Sequence, residues 1–330
     1  MKELSPIFLS GNGTPRSLEC PIIQSPLAGV SDQIFRNFVR RWSPKALLFT
    51  EMVNAKSLEL GHGEEKIIEL SEENGPIGVQ LFDHRPDSMI DAAIKAESSG
   101  AFLIDINMGC PVKKIARKGG GSALLKEPEL AQLIVKKVSK AISIPLTVKI
   151  RLGWCENTSD PVTFALGLQE AGAQLITVHG RTRKQGFSGY ANWEAISKIK
   201  KSLDIPVIAN GDIKNSQDAI KCLEITKADG VMIGRASMGA PWLIGQIDEE
   251  IKNQKNFKQP DAKMKVSLSL EHLKLLVAKK GNHGLLIARK HMNWTCRGFE
   301  GASTLRNKLV RASTPKDAIK LLEDELIKFN

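Results

Sequence analysis

Short apolar runs alternate with longer amphipathic segments along most of this chain. The runs are Ile22–Leu27, Ala46–Thr50, Ile77–Phe82, Phe102–Asn107, Leu146–Ile150, Leu175–Val178, Val207–Ala209 and Gly230–Ile233. Each is bounded by Gly, Pro, Asp or Asn, as strands buried in a parallel sheet are. The segments between them include Asp87–Ser99, Glu127–Ala141, Pro161–Ala171, Trp193–Ser202 and Ser216–Thr226, which have the length and spacing of helices that cover a sheet. Eight such alternations predict an α/β fold, a (β/α)8 TIM barrel. A doubly wound sheet is the alternative, against which stands the lack of a Gly-x-Gly-x-x-Gly after the first run. The residues before Ile22 read as a polar lead-in.

The pattern changes near Asn253. The stretch Asn253–Pro260 is polar, ends in Pro and reads as a linker. Beyond it only helical patterns occur, over Ala262–Lys280, His283–Gly298, Ser303–Arg311 and Pro315–Lys328. The expected organisation is a barrel over residues 1–252 and a C-terminal all-helical domain over residues 253–330. A barrel cut near Asn253 is expected to stay folded.

Charge sharpens this division. The chain of 330 residues carries a formal net charge of +11. From Lys252 to Asn330 there are 17 Lys+Arg against 7 Asp+Glu, a net of +10, so the preceding part is nearly neutral. A basic field confined to a helical tail reads either as solvated helix faces or as a footprint for nucleic acid. Hydrophobic residues make up 42%, enough for a substantial core. The five cysteines, Cys20, Cys110, Cys155, Cys222 and Cys296, form no Cys-x-x-Cys pair and complete no zinc pattern with His. They read as reduced thiols of a cytoplasmic protein. Neither a signal pattern nor an apolar run of membrane length is seen, and no metal, membrane or obligate protein partner is expected.

In a barrel, chemistry collects at the C-terminal ends of the strands. The runs there lead into Ala28-Gly29-Val30-Ser31-Asp32, Asn107-Met108-Gly109-Cys110-Pro111, Lys149-Ile150-Arg151, His179-Gly180-Arg181-Thr182-Arg183, Asn210-Gly211-Asp212 and Gly234-Arg235, with Gln80 near the end of the third. Glycine turns after the last two runs let backbone N–H groups approach a phosphate, and Arg235 adds charge. A lone Lys149 also suits a structural ion pair, and a lone His179 a satisfied polar residue. The weight lies in their joint placement on one rim.

Cys110 stands apart from the other thiols, because a Gly-Cys-Pro turn directly after a strand end faces it to the pocket. Cys155, in the loop after the fifth run, is a weaker candidate to approach the same site. Cys222 falls in an amphipathic helix, and Cys296 reads as packing between helices. Gly119-Gly120-Gly121-Ser122, preceded by Lys113, Lys114, Arg117 and Lys118, lacks the Gly-Lys-Ser/Thr ending of a phosphate loop. It reads as a mobile basic loop over the pocket mouth, or as an ordinary flexible connection.

Together with Ser25-Pro26-Leu27 and Val148, these motifs resemble, in order, those of bacterial tRNA-dihydrouridine synthases. Val148 to Trp154 and Gly239-Ala240-Pro241-Trp242 are most similar to the B-type branch. The resemblance implies an FMN-binding barrel with a helical tRNA-binding domain, and NADPH or NADH as reductant. It implies that Pro26, Leu27 and Ala28 line the flavin through backbone atoms, that Gln80, Lys149 and His179 hold the ring and nearby atoms, and that Asn210, Gly211, Asp212, Gly234 and Arg235 bind its phosphate side. Cys110 is implied as the proton donor. Ser25 and Leu27 depart from the family's frequent Ala and Met, at positions where contacts are mainly from the backbone.

The reaction so implied saturates the carbon 5–carbon 6 bond of uracil in tRNA. Hydride from reduced flavin reaches carbon 6, and an acid protonates carbon 5. A thiol with an ordinary pKa of about 8.5 is protonated at neutral pH and suits this task. The base must leave its stack, and phosphate contacts from the basic tail offset that cost. Rival readings are an FMN barrel acting on a free small molecule, a phosphate-binding barrel without redox chemistry, and an inactive RNA-binding module. The basic tail argues against the first and Cys110 against the last.

Overall fold

The structure, a computed structural model, describes residues 4–68, 70, 73–156, 160–253 and 257–329. An antiparallel hairpin comes first, β1 (Ile7–Leu9) against β2 (Arg16–Leu18). Eight parallel staves follow. They are β3 (Ile22–Gln24), β4 (Leu48–Phe49) continued by β5 (Val53–Asn54), β6 (Ile77–Phe82), β7 (Leu103–Met108), β8 (Leu146–Arg151), β9 (Leu175–His179), β10 (Val207–Asn210) and β11 (Gly230–Ile233). The sheet runs from β4 through β6 to β11 in chain order and then to β3. The seam between β3 and β4 closes through a bridge from Cys20 to Ala46. Gln24 adds to it: its N–H donates to the Leu47 carbonyl and its side-chain oxygen accepts from the Phe49 N–H, both at 3.1 Å. The eight apolar runs are these eight staves, and the TIM barrel is the observed fold.

Alternation along the staves sorts their side chains. Ile104, Ile106, Val148, Ile150, Ile176 and Val178 point outward and are wholly buried under helices. These helices are α1 (Gln33–Arg40), α2 (Ala55–Glu59), α3 (Glu65–Ile68), α4 (Pro86–Ser98), α5 (Lys113–Arg117), α6 (Pro128–Ala141), α7 (Pro161–Glu170), α8 (Trp193–Ser202), α9 (Ser216–Thr226) and α10 (Leu243–Asn253). Side-chain caps start several of them: Asp32 accepts from Phe35 N–H, Asn192 from Ala195 N–H and Asn215 from Asp218 N–H. Proline opens α4, α6 and α7, where its missing N–H costs nothing.

Inside the barrel, Ile23, Leu47, Phe49, Leu103, Leu175, Ile208 and Met232 form a separate apolar cluster with Ile7, Leu9 and Leu18 of the hairpin. Leu103 and Leu175 are the first residues of their strands, so the hairpin plugs the N-terminal end. The lead-in is therefore a structured stopper, a correction to the sequence reading. Above it the inward positions turn polar, with Gln80, Asp105 and Thr147 all buried.

The C-terminal helices are α11 (Ala262–Lys280), α12 (Asn282–Thr295), α13 (Ala302–Arg311) and α14 (Pro315–Ile327). Of the expected linker, Gln254, Lys255 and Asn256 lie outside the described residues, and Phe257–Asp261 is non-helical. Thr314 and Asp317 form a reciprocal capping box at the start of α14. These helices share a core of Val266, Leu273, Leu276, Leu285, Met292, Leu305 and Leu322, which also takes in Ile34 and Phe38 of α1 and Trp242 beyond β11. His272 and His291 sit in this seam, with ring centroids 5.0 Å from Phe38 and 6.0 Å from Phe35 respectively. A cut near Asn253 would leave those barrel residues without their cover, which counts against the expectation of an independently folded barrel. Among the described residues no helix is long and apolar enough to cross a membrane.

Candidate active site

The C-terminal ends of the staves surround a cavity of about 1080 Å³. Pro26, Leu27 and Ala28 after β3, Cys110 after β7, Lys149 on β8, His179 at the end of β9, Asn210, Gly211 and Asp212 at β10, and Gly234 and Arg235 after β11 all line it. Gln80 does not. It is fully buried one layer below, bonded to Asp105 and Asn107. Cys155 is likewise absent from the lining.

Lys149 projects from the barrel interior between Asn107 and Thr177 in the register. Its ammonium makes no hydrogen bond or ion pair with any described residue. Burial, reinforced by Arg151, pulls its pKa from 10.5 down to about 8, against the opposing pull of the Asp105 carboxylate. His179 is held neutral far below its ordinary range by burial and then by Lys149, Arg151, Arg181 and Arg235. Its Nε2 lies 3.3 Å from Arg181 Nη1. A guanidinium only donates, so Nε2 accepts and the ring proton sits on Nδ1.

Cys110 is held by its backbone. The Asn107 side-chain oxygen accepts from the N–H groups of Gly109 at 3.0 Å and of Cys110 at 2.8 Å. Arg151 Nε donates to the Gly109 carbonyl at 2.8 Å, and its Nη1 donates to the carbonyls of Thr182 and Gly186. Burial pushes the thiol up, with Val112 N–H, Arg151 and Lys149 pulling against it, so it stays protonated near neutral pH. The glycine run beside it is no loose lid. Lys113–Arg117 is the short helix α5, and Gly121–Lys126 is a 3₁₀ turn in which Ser122 is wholly buried. Gly121, at φ +57°, packs so closely that an added Cβ would lie 3.1 Å from the Cys110 Cβ. Gly121 serves close approach here, in a packed turn rather than an irregular connection.

The far side of the cavity is built by Gly211 and its neighbours. Gly211 has φ +119°, and an added Cβ would come within 2.9 Å of the Ala191 Cβ and 3.0 Å of the His179 ring. Trp193 Nε1 donates to its carbonyl at 3.1 Å. Gly211→Ala is expected to destabilise the protein by about 1–3 kcal/mol through overpacking and strain; an unchanged melting temperature would contradict this. The Asp212 side chain is engaged by its neighbours. Its carboxylate accepts from Arg181 Nη2 at 2.8 and 2.7 Å and from Ala191 N–H at 2.7 Å. Burial pushes this carboxyl up, but Arg181, the Ala191 N–H and Arg235 together hold it below its usual value. Arg235 has a half-exposed side chain, 51% accessible, over the Phe187 ring at 4.6 Å from its centroid.

Arg151, Arg181 and Phe187 were not singled out from sequence. Arg151 and Arg181 stood inside the quoted motifs, yet only the fold reveals that both are buried anchors of the rim. Phe187 carries no signal of its own in the sequence.

The sequence model of the family described as dihydrouridine synthase (Dus) matches residues 23–330. A protein of Synechocystis sp. named probable tRNA-dihydrouridine synthase 1 is 47% identical over 310 residues, covering 94% of this chain and 87% of that one. The tRNA-dihydrouridine synthase B of Pasteurella multocida is 37% identical over 92% of this chain and 91% of its own. Among solved structures, histamine dehydrogenase from Rhizobium sp. 4-9 superposes with a TM-score of 0.55 at 12% identity, over 81% of this chain and 50% of that one. Morphinone reductase, solved in complex with tetrahydroNAD, superposes with a TM-score of 0.52 at 13% identity, over 78% and 92%. These two speak for the barrel fold alone. The family match and the two named relatives span nearly the whole chain, and on that ground the chain belongs to the dihydrouridine synthase family, with B-type enzymes among its relatives.

Proposed function

We propose that this protein uses FMN and NADPH or NADH to reduce the carbon 5–carbon 6 bond of uridine in tRNA, giving 5,6-dihydrouridine. The observation that carries this reading is the pairing, in one cavity, of a Lys149 ammonium with no hydrogen-bond or ion-pair partner among the described residues and a protonated thiol at Cys110. The residues fit FMN. Gly211 and Gly234 line the cavity without side chains, Arg235 is half-exposed 3.9 Å from Asp212, and Lys149 holds a positive charge for an electron-rich ring. FMN held there would, once reduced by NADPH or NADH, provide hydride chemistry for carbon 6. Cys110 supplies the proton to carbon 5, and the burial that raises its pKa keeps that proton available. Neutral His179 offers its Nδ1–H as a donor without adding charge. Backbone N–H groups around Gly211 and Gly234, with Arg235, hold the phosphate. Asp212 acts by fixing Arg181.

In this reading residues 1–252 form the catalytic unit and residues 253–330 the tRNA-binding one, working in the cytoplasm. The Lys290 ammonium of α12 stands beside Gly29, 2.9 Å from where its Cβ would be, so the basic domain reaches the cavity side of the barrel. Affinity of the full chain for tRNA is expected to fall about a hundredfold or more between 50 and 200 mM salt, as for four or more phosphate contacts. Binding indifferent to salt would contradict a role for the +10 charge carried from Lys252 to Asn330. The test of the cofactor is direct. The purified protein is expected to be yellow and to release FMN, not FAD, on denaturation. A colourless protein that takes up no added FMN would overturn the proposal.

A further inference from the structure

Beneath the cavity a chain of polar side chains runs from the barrel interior to the Cys110 turn. Asp105 and Gln80 are 1% and 0% exposed. The Asp105 carboxylate accepts from Thr147 Oγ1 at 2.6 Å and from Gln80 Nε2 at 2.7 Å. Gln80 Oε1 accepts from Asn107 Nδ2 at 2.7 Å. Asn107 Oδ1 accepts from the Gly109 and Cys110 N–H groups.

The polarity of this chain is forced from both ends. Backbone N–H groups only donate, so Asn107 must turn its oxygen to the Cys110 turn and its NH₂ inward. Gln80 must then meet that NH₂ with its oxygen and turn its own NH₂ to Asp105, which as a carboxylate only accepts. Without an acceptor at position 105, the Gln80 amide loses the partner that fixes its orientation. A flipped Gln80 would flip Asn107 and set an NH₂ against the two N–H groups of the turn.

We infer that Asp105 is a positioning residue for Cys110, acting through Gln80 and Asn107 to hold the turn that carries the thiol. Burial pushes its carboxyl up from 3.8 to about 6, a cost in stability near neutral pH that an apolar residue would avoid. The inference rests on the reading of Cys110 as proton donor.

The test compares the full-length flavin-loaded protein with Asp105→Leu and Asp105→Asn. Leucine removes the acceptor. Asparagine keeps an oxygen for Gln80 and can turn its NH₂ to the Thr147 hydroxyl, whose own proton has the Ile104 carbonyl within 3.4 Å. Two rates are read: iodoacetamide labelling of Cys110, located by peptide mass spectrometry, and oxidation of NADPH-reduced flavin by tRNA. Asp105→Leu is expected to alter labelling and to slow the tRNA step by about tenfold to a hundredfold, the scale of a small misplacement of a reacting group. Its flavin content and its reduction by NADPH should fall far less, and equally in Asp105→Asn, because both variants remove the charge that pulls on Lys149. Asp105→Asn should bring both rates most of the way back to wild type. If Asp105→Leu does not fold, Gln80→Met cuts the chain one link nearer and is read by labelling. Wild-type rates in the cut variants, an equal fall in both half-reactions, or no recovery with asparagine would overturn the inference. A wild-type protein that tRNA never oxidises would sink the proposed function instead, and Cys110 labelling would still decide the role of Asp105.

Discussion

Cys110→Ala is expected to keep its flavin and its reduction by NADPH while losing about a hundred- to ten-thousand-fold in uridine reduction, the usual contribution of one general acid. The thiol lines the cavity but belongs to neither the Lys149 corner nor the Gly211 side. Its turn is held by Asn107 and Arg151 through backbone atoms, so shortening the side chain leaves those bonds in place. What is lost is the proton for carbon 5. Stopped-flow absorbance separates the two half-reactions. Reoxidation by tRNA at the wild-type rate in Cys110→Ala would make the thiol structural. Cys155→Ala, outside the lining, should be nearly silent beside it.

Lys149→Met is expected to have the opposite profile, losing the flavin half of the cycle. A single charged donor aimed at developing charge in a closed site contributes about a hundred- to a thousandfold, and reduction by NADPH should slow on that scale with weaker FMN retention. A stability signature accompanies it. With flavin removed, an unpartnered ammonium is a burden on the fold. Because the folded pKa of about 8 lies below the unfolded 10.5, that penalty is complete below pH 8 and is relieved as pH rises towards 10.5. The flavin-free wild type should therefore gain stability across that interval, and Lys149→Met should lack the gain. Parallel stability curves for the two proteins would show that Lys149 has a partner after all.

The barrel was legible because its staves are apolar runs cut by Gly, Pro, Asp and Asn, a pattern that survives without knowledge of neighbours. The rim residues were legible for the same reason, since each motif follows a strand end. The stopper was not. Strands of three residues show no alternation, and Ile7, Leu9 and Leu18 reveal their purpose only against Leu103 and Leu175. Helix α1 was also passed over. It is short, and it divides its apolar residues between two cores, with Phe35 and Val39 in the barrel and Ile34 and Phe38 in the helical domain. That division also explains why the tail reads as separable in sequence yet shares a core with the barrel. Gly119–Gly121 was ambiguous because glycine serves looseness and close approach equally well. The chain from Asp105 to Cys110 depends on which strands are neighbours and in what register, and a single strand read alone carries neither.

The decisive substrate is tRNA from a strain lacking this protein. That tRNA is incubated with the purified protein and NADPH, digested to nucleosides and analysed by mass spectrometry. The expected product is a new nucleoside, two hydrogens heavier than uridine, formed only when protein, reductant and tRNA are all present. A protein that binds FMN and is reduced by NADPH, yet leaves every uridine unchanged, would contradict it.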